Sequence, residues 1–236
     1  MKKIIYILAI IFFGCNSNVK KTEGKSTNST LIEQKNISTQ IEQVVNEENT
    51  FKAKKFEFKN PERPIEDTLI LKTNHKNFMI SPLGMFKVND KDSIQLKTNL
   101  IVDRAYLYET DELYYVFFTD TDHEGATSWI QKIRKNPLES EYVKQIQGFN
   151  LGLPVIYNEF AFVSAIGFVG KINLQAGNYE WKHHNLYDYE KYSFNSFDTV
   201  MVNKPNVEYI SENYRSKSID KVIVNNKTGE IKEIIK

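Results

Sequence analysis

Cysteine is almost absent from this 236-residue chain: Cys15 is the only one, so an internal disulfide is excluded. An excess of charge of one sign is missing too, since 31 basic and 30 acidic side chains leave a net +1. That balance offers no basic face of the kind nucleic-acid binding needs, and no nucleic-acid partner is expected. Proline is sparse, and its occurrences at 61, 64, 82, 137, 154 and 205 fall between apolar runs. Such placement suits a β protein, because proline cannot donate to a strand ladder. The chain has no Gly-x-Ser-x-Gly elbow, His-Glu-x-x-His helix or phosphate-binding loop, which counts against common hydrolases and nucleotide enzymes. The apolar stretch from Ile4 to Phe13 is half the roughly 20 residues a spanning helix requires, so no transmembrane anchor is expected there.

What is present at the start is an ordered set of residues. Lys2 and Lys3 precede the run Ile4 to Phe13, and Gly14-Cys15 follows it. This resembles a bacterial lipoprotein signal, with a basic n-region, a short apolar h-region and a small residue before a cysteine that is lipidated after cleavage. Phe12 and Phe13 stand where leucine and a small residue are commoner in such signals. The alternative is an ordinary secretory signal that contains a cysteine. The resemblance implies that residues 1–14 are a signal peptide, that Cys15 carries lipid (palmitate) chains, and that the mature protein sits on a membrane in the cell envelope. Asn16 lacks the aspartate associated with inner-membrane retention, so the outer membrane of a Gram-negative bacterium, facing the periplasm or the surface, is the expected location. With Cys15 lipidated, no thiol remains for catalysis or metal binding.

Residues 15–50 are rich in Ser, Thr, Asn, Lys, Glu and Gln. Such composition buries too little apolar surface to offset the entropy of ordering, so this stretch reads as a flexible tether with a span of roughly 35–40 Å. Ile32, Ile37, Ile41, Val44 and Val45 lie near helical spacing, and an amphipathic helix and plain coil both fit. Phe51, Phe56 and Phe58 mark where hydrophobic structure begins, and the alternation Phe56-Glu57-Phe58 suggests an edge strand.

Residues 51–236 form one expected all-β domain of short aromatic or aliphatic runs separated by polar turns. Four segments share one shape, a strand rich in aromatics, a turn, and a strand ending in an aliphatic residue. The anchoring residues Val88, Ile133, Ile172 and Val224 are 45, 39 and 52 residues apart. That period suits the four-stranded blade of a β-propeller, and an array of about four irregular blades is the expected architecture, with a β-sandwich or barrel as the alternative.

The third segment contains Asn173-Leu174-Gln175-Ala176-Gly177 and then Trp181, and the fourth contains Asn225-Asn226-Lys227-Thr228-Gly229 with Glu233 in place of the tryptophan. These resemble the blade motif of PQQ-like propellers, in which an Asp-x-x-Thr-Gly turn leads four residues later to Trp. The resemblance implies that Gly177 and Gly229 supply positive φ at hairpin turns and that Trp181 seals neighbouring blades. It does not extend to a quinone cofactor, whose ligands are not found, and no cofactor is expected.

Three local groupings are candidates for chemistry. Asp120-Thr121-Asp122-His123-Glu124-Gly125 places oxygen ligands at alternate positions before a glycine, as the first half of a calcium loop does. Position twelve is Gln131, so a solvated hairpin tip competes with a calcium site at Asp120, Asp122 and Glu124. His183 and His184 are adjacent, and in a strand they point to opposite faces. Tyr187, Tyr189, Tyr192, Phe194 and Phe197 form the densest aromatic stretch, either inter-blade packing or a partner patch.

These readings converge on a lipid-anchored envelope module that binds or scaffolds without catalysis. Its expected partner is another envelope protein or a glycan, and one version is an immunity lipoprotein that blocks a toxin. The competing class is a carbohydrate-active enzyme, which needs two convergent carboxylates about 5–10 Å apart.

Overall fold

The computed structural model describes residues 50–62, 67–98, 100–122, 125–148, 150–186, 197, 199–212 and 219–235. Among them are nineteen strands, all paired antiparallel, and no helix. The fold is all-β. Cys15, residues 15–49 of the expected tether, and the stretch Tyr187 to Phe194 lie outside the described residues.

Sixteen of the strands form four meanders in chain order. The first sheet holds β4 (Leu69–Lys72), β5 (Asn77–Ile80), β6 (Met85–Val88) and β7 (Asp92–Gln95). The second holds β8 (Ile101–Glu109), β9 (Leu113–Thr121), β10 (Ala126–Arg134) and β11 (Glu139–Ile146). The third holds β12 (Val155–Tyr157), β13 (Phe160–Ala165), β14 (Phe168–Asn173) and β15 (Tyr179–His183). The fourth holds β16 (Thr199–Asn203), β17 (Asn206–Glu212), β18 (Ile219–Asn225) and β19 (Ile231–Ile235). Every sheet is an open strand order, and none closes into a barrel.

The remaining strands are very short and come first. β1 (Thr50–Lys52) pairs with β12, β2 (Lys54–Lys55) with β8, and β3 (Glu57–Phe58) with β4, so one segment crosses the third, second and first sheets in turn. Between strands it lowers Ala53 and Phe56 into two separate cores, where each is almost wholly buried. The Ala53 and Phe56 amides donate to the carbonyls of Pro154 and Ala105, both at 3.0 Å. This strap ties three sheets together with nine residues, 50 to 58.

Three hydrophobic cores separate the four sheets. The first, between sheets one and two, holds Phe78, Phe86, Tyr114, Val116, Phe118 and Ile133 among others. The second, between sheets two and three, includes Tyr115, Phe117, Ile130, Ile156, Phe168 and Ile172. The third, between sheets three and four, includes Phe162, Val169, Trp181, Tyr209, Val222 and Val224. β9 shows why its sequence is a continuous apolar run: alternate residues enter the first and second cores, so both faces are buried. β5 and β17 are instead buried on alternate residues, because their sheets present one face to a core.

The repeat has a structural counterpart at the third strand of each meander. Val88, Ile133, Ile172 and Val224 are all buried there. In the last three sheets a bulge falls at the same place, between Lys132 and Ile133, Lys171 and Ile172, and Ile223 and Val224. The turns that follow in sheets three and four are alike. Asn173 Oδ1 accepts from the amides of Gln175 and Ala176, and Asn225 Oδ1 from those of Lys227 and Thr228. Gly177 and Gly229 close them at φ +70° and +74°, a region that glycine enters without strain.

Each of these turns meets an aromatic of the preceding sheet. The Tyr142 hydroxyl of β11 donates to the Leu174 carbonyl at 2.9 Å, and its ring lies against Gly177. The Trp181 indole of β15 donates to the Asn226 carbonyl at 3.1 Å, and its side chain lies against Gly229. Tyr142 and Trp181 face Lys132 and Lys171 across their ladders, which makes them equivalent positions. Glu233 faces Ile223 at that position in the fourth sheet and is exposed.

Candidate functional site

In a meander, the turns after the first and third strands lie at the same end of the sheet. At this end of sheets one and two, the turn 73–76, the turn 110–112 and Lys135 converge with the strap. They enclose two adjoining concavities of about 560 and 430 Å³ that share Lys54, Lys76 and Glu109. Five lysines line them, Lys52, Lys54, Lys72, Lys76 and Lys135, against the two carboxylates Glu109 and Asp111. The groove is therefore positive in a chain that is nearly neutral as a whole.

Two of the lysines are fixed by one acid. Glu109 Oε1 pairs with Lys76 Nζ and lies 2.6 Å from Lys135 Nζ, which also donates to the Thr110 carbonyl. Both ammonium groups sit over the Tyr114 ring, Lys135 at 4.7 Å and Lys76 at 5.5 Å from its centroid. Burial pushes the Glu109 carboxyl up, but the hydrogen bonds from Lys135 and Lys76 outweigh it and hold it below its ordinary value. The same hydrogen bond holds Lys76 above its ordinary value. Glu109 is ionised at neutral pH, and Lys76 keeps its charge.

The other three lysines are exposed and form no ion pair among the described residues. Beside them Phe51 is 52% exposed, an unusual state for a phenylalanine next to a core. Its ring centroid lies 6.3 Å from that of Tyr108, which stacks in turn on the buried Tyr115. The groove thus combines unpaired cations with one flat apolar ring held from behind.

The expected calcium ligands lie at the opposite end of β9. Asp120 is buried, and its two oxygens accept from the Trp129 indole at 3.0 Å and the Thr98 hydroxyl. Asp122 Oδ1 accepts from the Gly125 amide at 2.9 Å within the hairpin turn, and Glu124 lies outside the described residues. Among the described residues no three His, Cys, Asp or Glu side chains gather in metal-binding range. Asp103 lies nearby, at a bulge in β8. Burial raises its carboxyl, Arg104 opposes that and Asp120 adds to it, while Oδ1 has no hydrogen-bond partner.

The histidine pair diverges. His183 Nε2 lies 2.6 Å from the Gly229 carbonyl, whereas the His184 ring packs 5.2 Å from that of Phe168. Phe197, the described member of the aromatic stretch, is buried in the third core. Gly177, Trp181 and Gly229 belong to the inter-sheet contacts and not to the groove. No protein-family model matches this sequence, and no curated protein is similar to it.

Sequence reasoning missed the groove. Its lysines are spread from position 52 to 135 without a motif, and only the strap and the sheet order bring them together. Phe51 next to Lys52 and Lys54 is the one local signal in the sequence, and its exposure shows only in the structure.

Proposed function

We propose that this chain is a binding module of the cell envelope, lipid-anchored through Cys15 to the outer membrane of a Gram-negative bacterium. In this reading its four meanders are the blades of an open, propeller-like array. The repeated bulge, the Asn-x-x-x-Gly turns and the aromatic contacts between successive sheets support the array. The observation that carries the binding role is the lysine-lined groove, where a half-exposed phenylalanine stands beside three exposed lysines that form no ion pair among the described residues. Ligand sites are commonly concave and built from a few placed polar groups beside apolar surface. An immunity protein that masks an incoming toxin is one form of such a module.

The competing reading, a carbohydrate-active enzyme, draws on the raised carboxyl of Asp103 beside Asp120. Against it, Asp120 already accepts two hydrogen bonds from protein groups, so the pair is not free to share a substrate. Capture from solubilised envelope by the lipid-anchored chain tests the binding role. Retention of a specific partner by the wild type, and its loss with Lys54→Glu/Lys72→Glu, is the expected result. Turnover of envelope glycan that disappears in Asp103→Asn would replace this reading with the enzyme.

A further inference from the structure

We infer that the groove between the first and second sheets takes an anionic glycan, a chain of sugar rings bearing carboxylate, sulfate or phosphate groups. This deepens the binding-module reading and rests on it. Three features of the groove select that chemistry.

The first is the kind of cation. Five lysines line the two concavities, with His75 in the second, and no arginine does so among the described residues. An ammonium is a hydrated point charge with three rotatable donors, suited to anions whose geometry varies, whereas a guanidinium fork selects one planar anion bidentately. The second is the distribution of charge. Lys52, Lys54 and Lys72 come from β1, β2 and β4 and form no ion pair among the described residues, while Lys76 and Lys135 are both held against Glu109. A single small anion would satisfy one such cluster, but charges spaced along two adjoining concavities match negative groups spaced along a polymer. The third is Phe51. Its exposed ring stands beside Lys52 and offers a flat apolar face to the face of a sugar, with Tyr108 behind it limiting its motion. Alternating ammonium groups and an aromatic platform complement alternating acidic groups and apolar sugar faces.

Two other polyanions fit less well. A membrane surface is flat, and its attraction acts on basic residues that project from the protein; here the lysines surround concavities. An acidic protein would need a patch of roughly 800 Å² per partner with a hydrophobic centre, and the described surface around the groove offers Phe51 alone as a large exposed apolar side chain.

Calorimetric titration of the full-length chain with a heparin-derived hexasaccharide tests the inference directly. Maltohexaose, vesicles of phosphatidylglycerol and phosphatidylcholine, and a hexaglutamate peptide serve as the comparison ligands. The hexasaccharide should bind and maltohexaose should not, with affinity falling as salt rises from 50 to 200 mM. Lys54→Glu/Lys72→Glu should weaken binding by about tenfold or more, and Phe51→Ala by a smaller factor. Glu109→Gln should strengthen it, because the charges of Lys76 and Lys135 would no longer be offset. A gain in affinity cannot come from misfolding. Equal binding by all variants, or tighter binding of maltohexaose, the vesicles or the peptide, overturns the assignment. If the wild type binds the hexasaccharide yet captures nothing from the envelope, the module reading fails while the groove stands. If envelope capture survives Lys54→Glu/Lys72→Glu unchanged, the groove assignment fails while the module stands.

Discussion

The seam between sheets three and four and the seam between sheets one and two are built from the same parts put to opposite uses. At the former, the turn after the third strand offers a carbonyl, that of Asn226, and Trp181 from the neighbouring sheet donates to it. At the latter, the equivalent turn position two residues past the anchoring aliphatic is Lys135, whose ammonium turns to Glu109 and Thr110. One seam is closed by a largely buried aromatic contact, at which the Lys171 ammonium also donates to the Asn226 carbonyl at 3.1 Å. The other is bridged by charges at the rim of an open groove. Burial of a large aromatic supplies the larger stabilisation, while partly exposed ion pairs contribute little to stability. The lesson is that both seams rest on a hydrophobic core, and that they differ in how the turn at the rim is closed, by an aromatic side chain at one and by ion pairs beside an open groove at the other.

The largest expected break in this comparison comes from Trp181→Ala, which should destabilise the domain by about 3–5 kcal/mol. Denaturant melts measure it, and a loss below about 1 kcal/mol would mean that the third core does not depend on the indole. Gly229→Ala should follow at about 1–3 kcal/mol, since the added methyl would sit 2.5 Å from Trp181 Cβ in a backbone at φ +74°. Gly177→Ala, whose methyl would meet the Tyr142 ring at 3.0 Å, should cost less, because that ring can shift. Thermal scans of the two glycine variants would reverse the order if the seams were packed otherwise.

Much of this arrangement was legible in the sequence, for identifiable reasons. The anchoring residues Val88, Ile133, Ile172 and Val224 could be aligned because each ends an apolar strand before a polar turn, and all are buried at matching places. The two-sided burial of β9 is written in the run Tyr114 to Phe118. Glu233, at the position that Trp181 holds in the third sheet, is exposed on β19. The strap was not legible beyond Phe56-Glu57-Phe58, because strands of two or three residues carry no period. Nor was the role of Asp120. Alternate carboxylates look like metal ligands in a loop, but on a strand they share a face, and here one is buried under Trp129 and Thr98.

The smaller predictions sharpen the charged seam. The folded-state pKa of Glu109 is lowered, so the unfolded chain binds more protons through the acidic window and stability rises with pH across it. That contribution is fully present above the ordinary carboxylate range and is lost as pH falls through the lowered value. Glu109→Gln should therefore cost about 0.5–1 kcal/mol at pH 7 and progressively less toward pH 3. Melts across that range measure it, and a constant difference would place the effect in packing and not in charge. Asp103→Asn should act in the opposite sense. Its raised carboxyl makes ionisation unfavourable in the folded state, so stability is lost as pH rises through the raised value. The neutral isostere should leave stability at pH 7 unchanged or slightly higher, and a clear loss would point to a charge-dependent contact at Asp103.

The proposed binding role of the groove is tested most directly in the living cell. A photo-crosslinking amino acid placed at Lys54, on the strap, should capture an envelope component, whereas the same probe at exposed Lys87, on the outer face of the first sheet, should not. Equal capture at both positions, or capture at Lys87 alone, would contradict the groove as the place where this module binds.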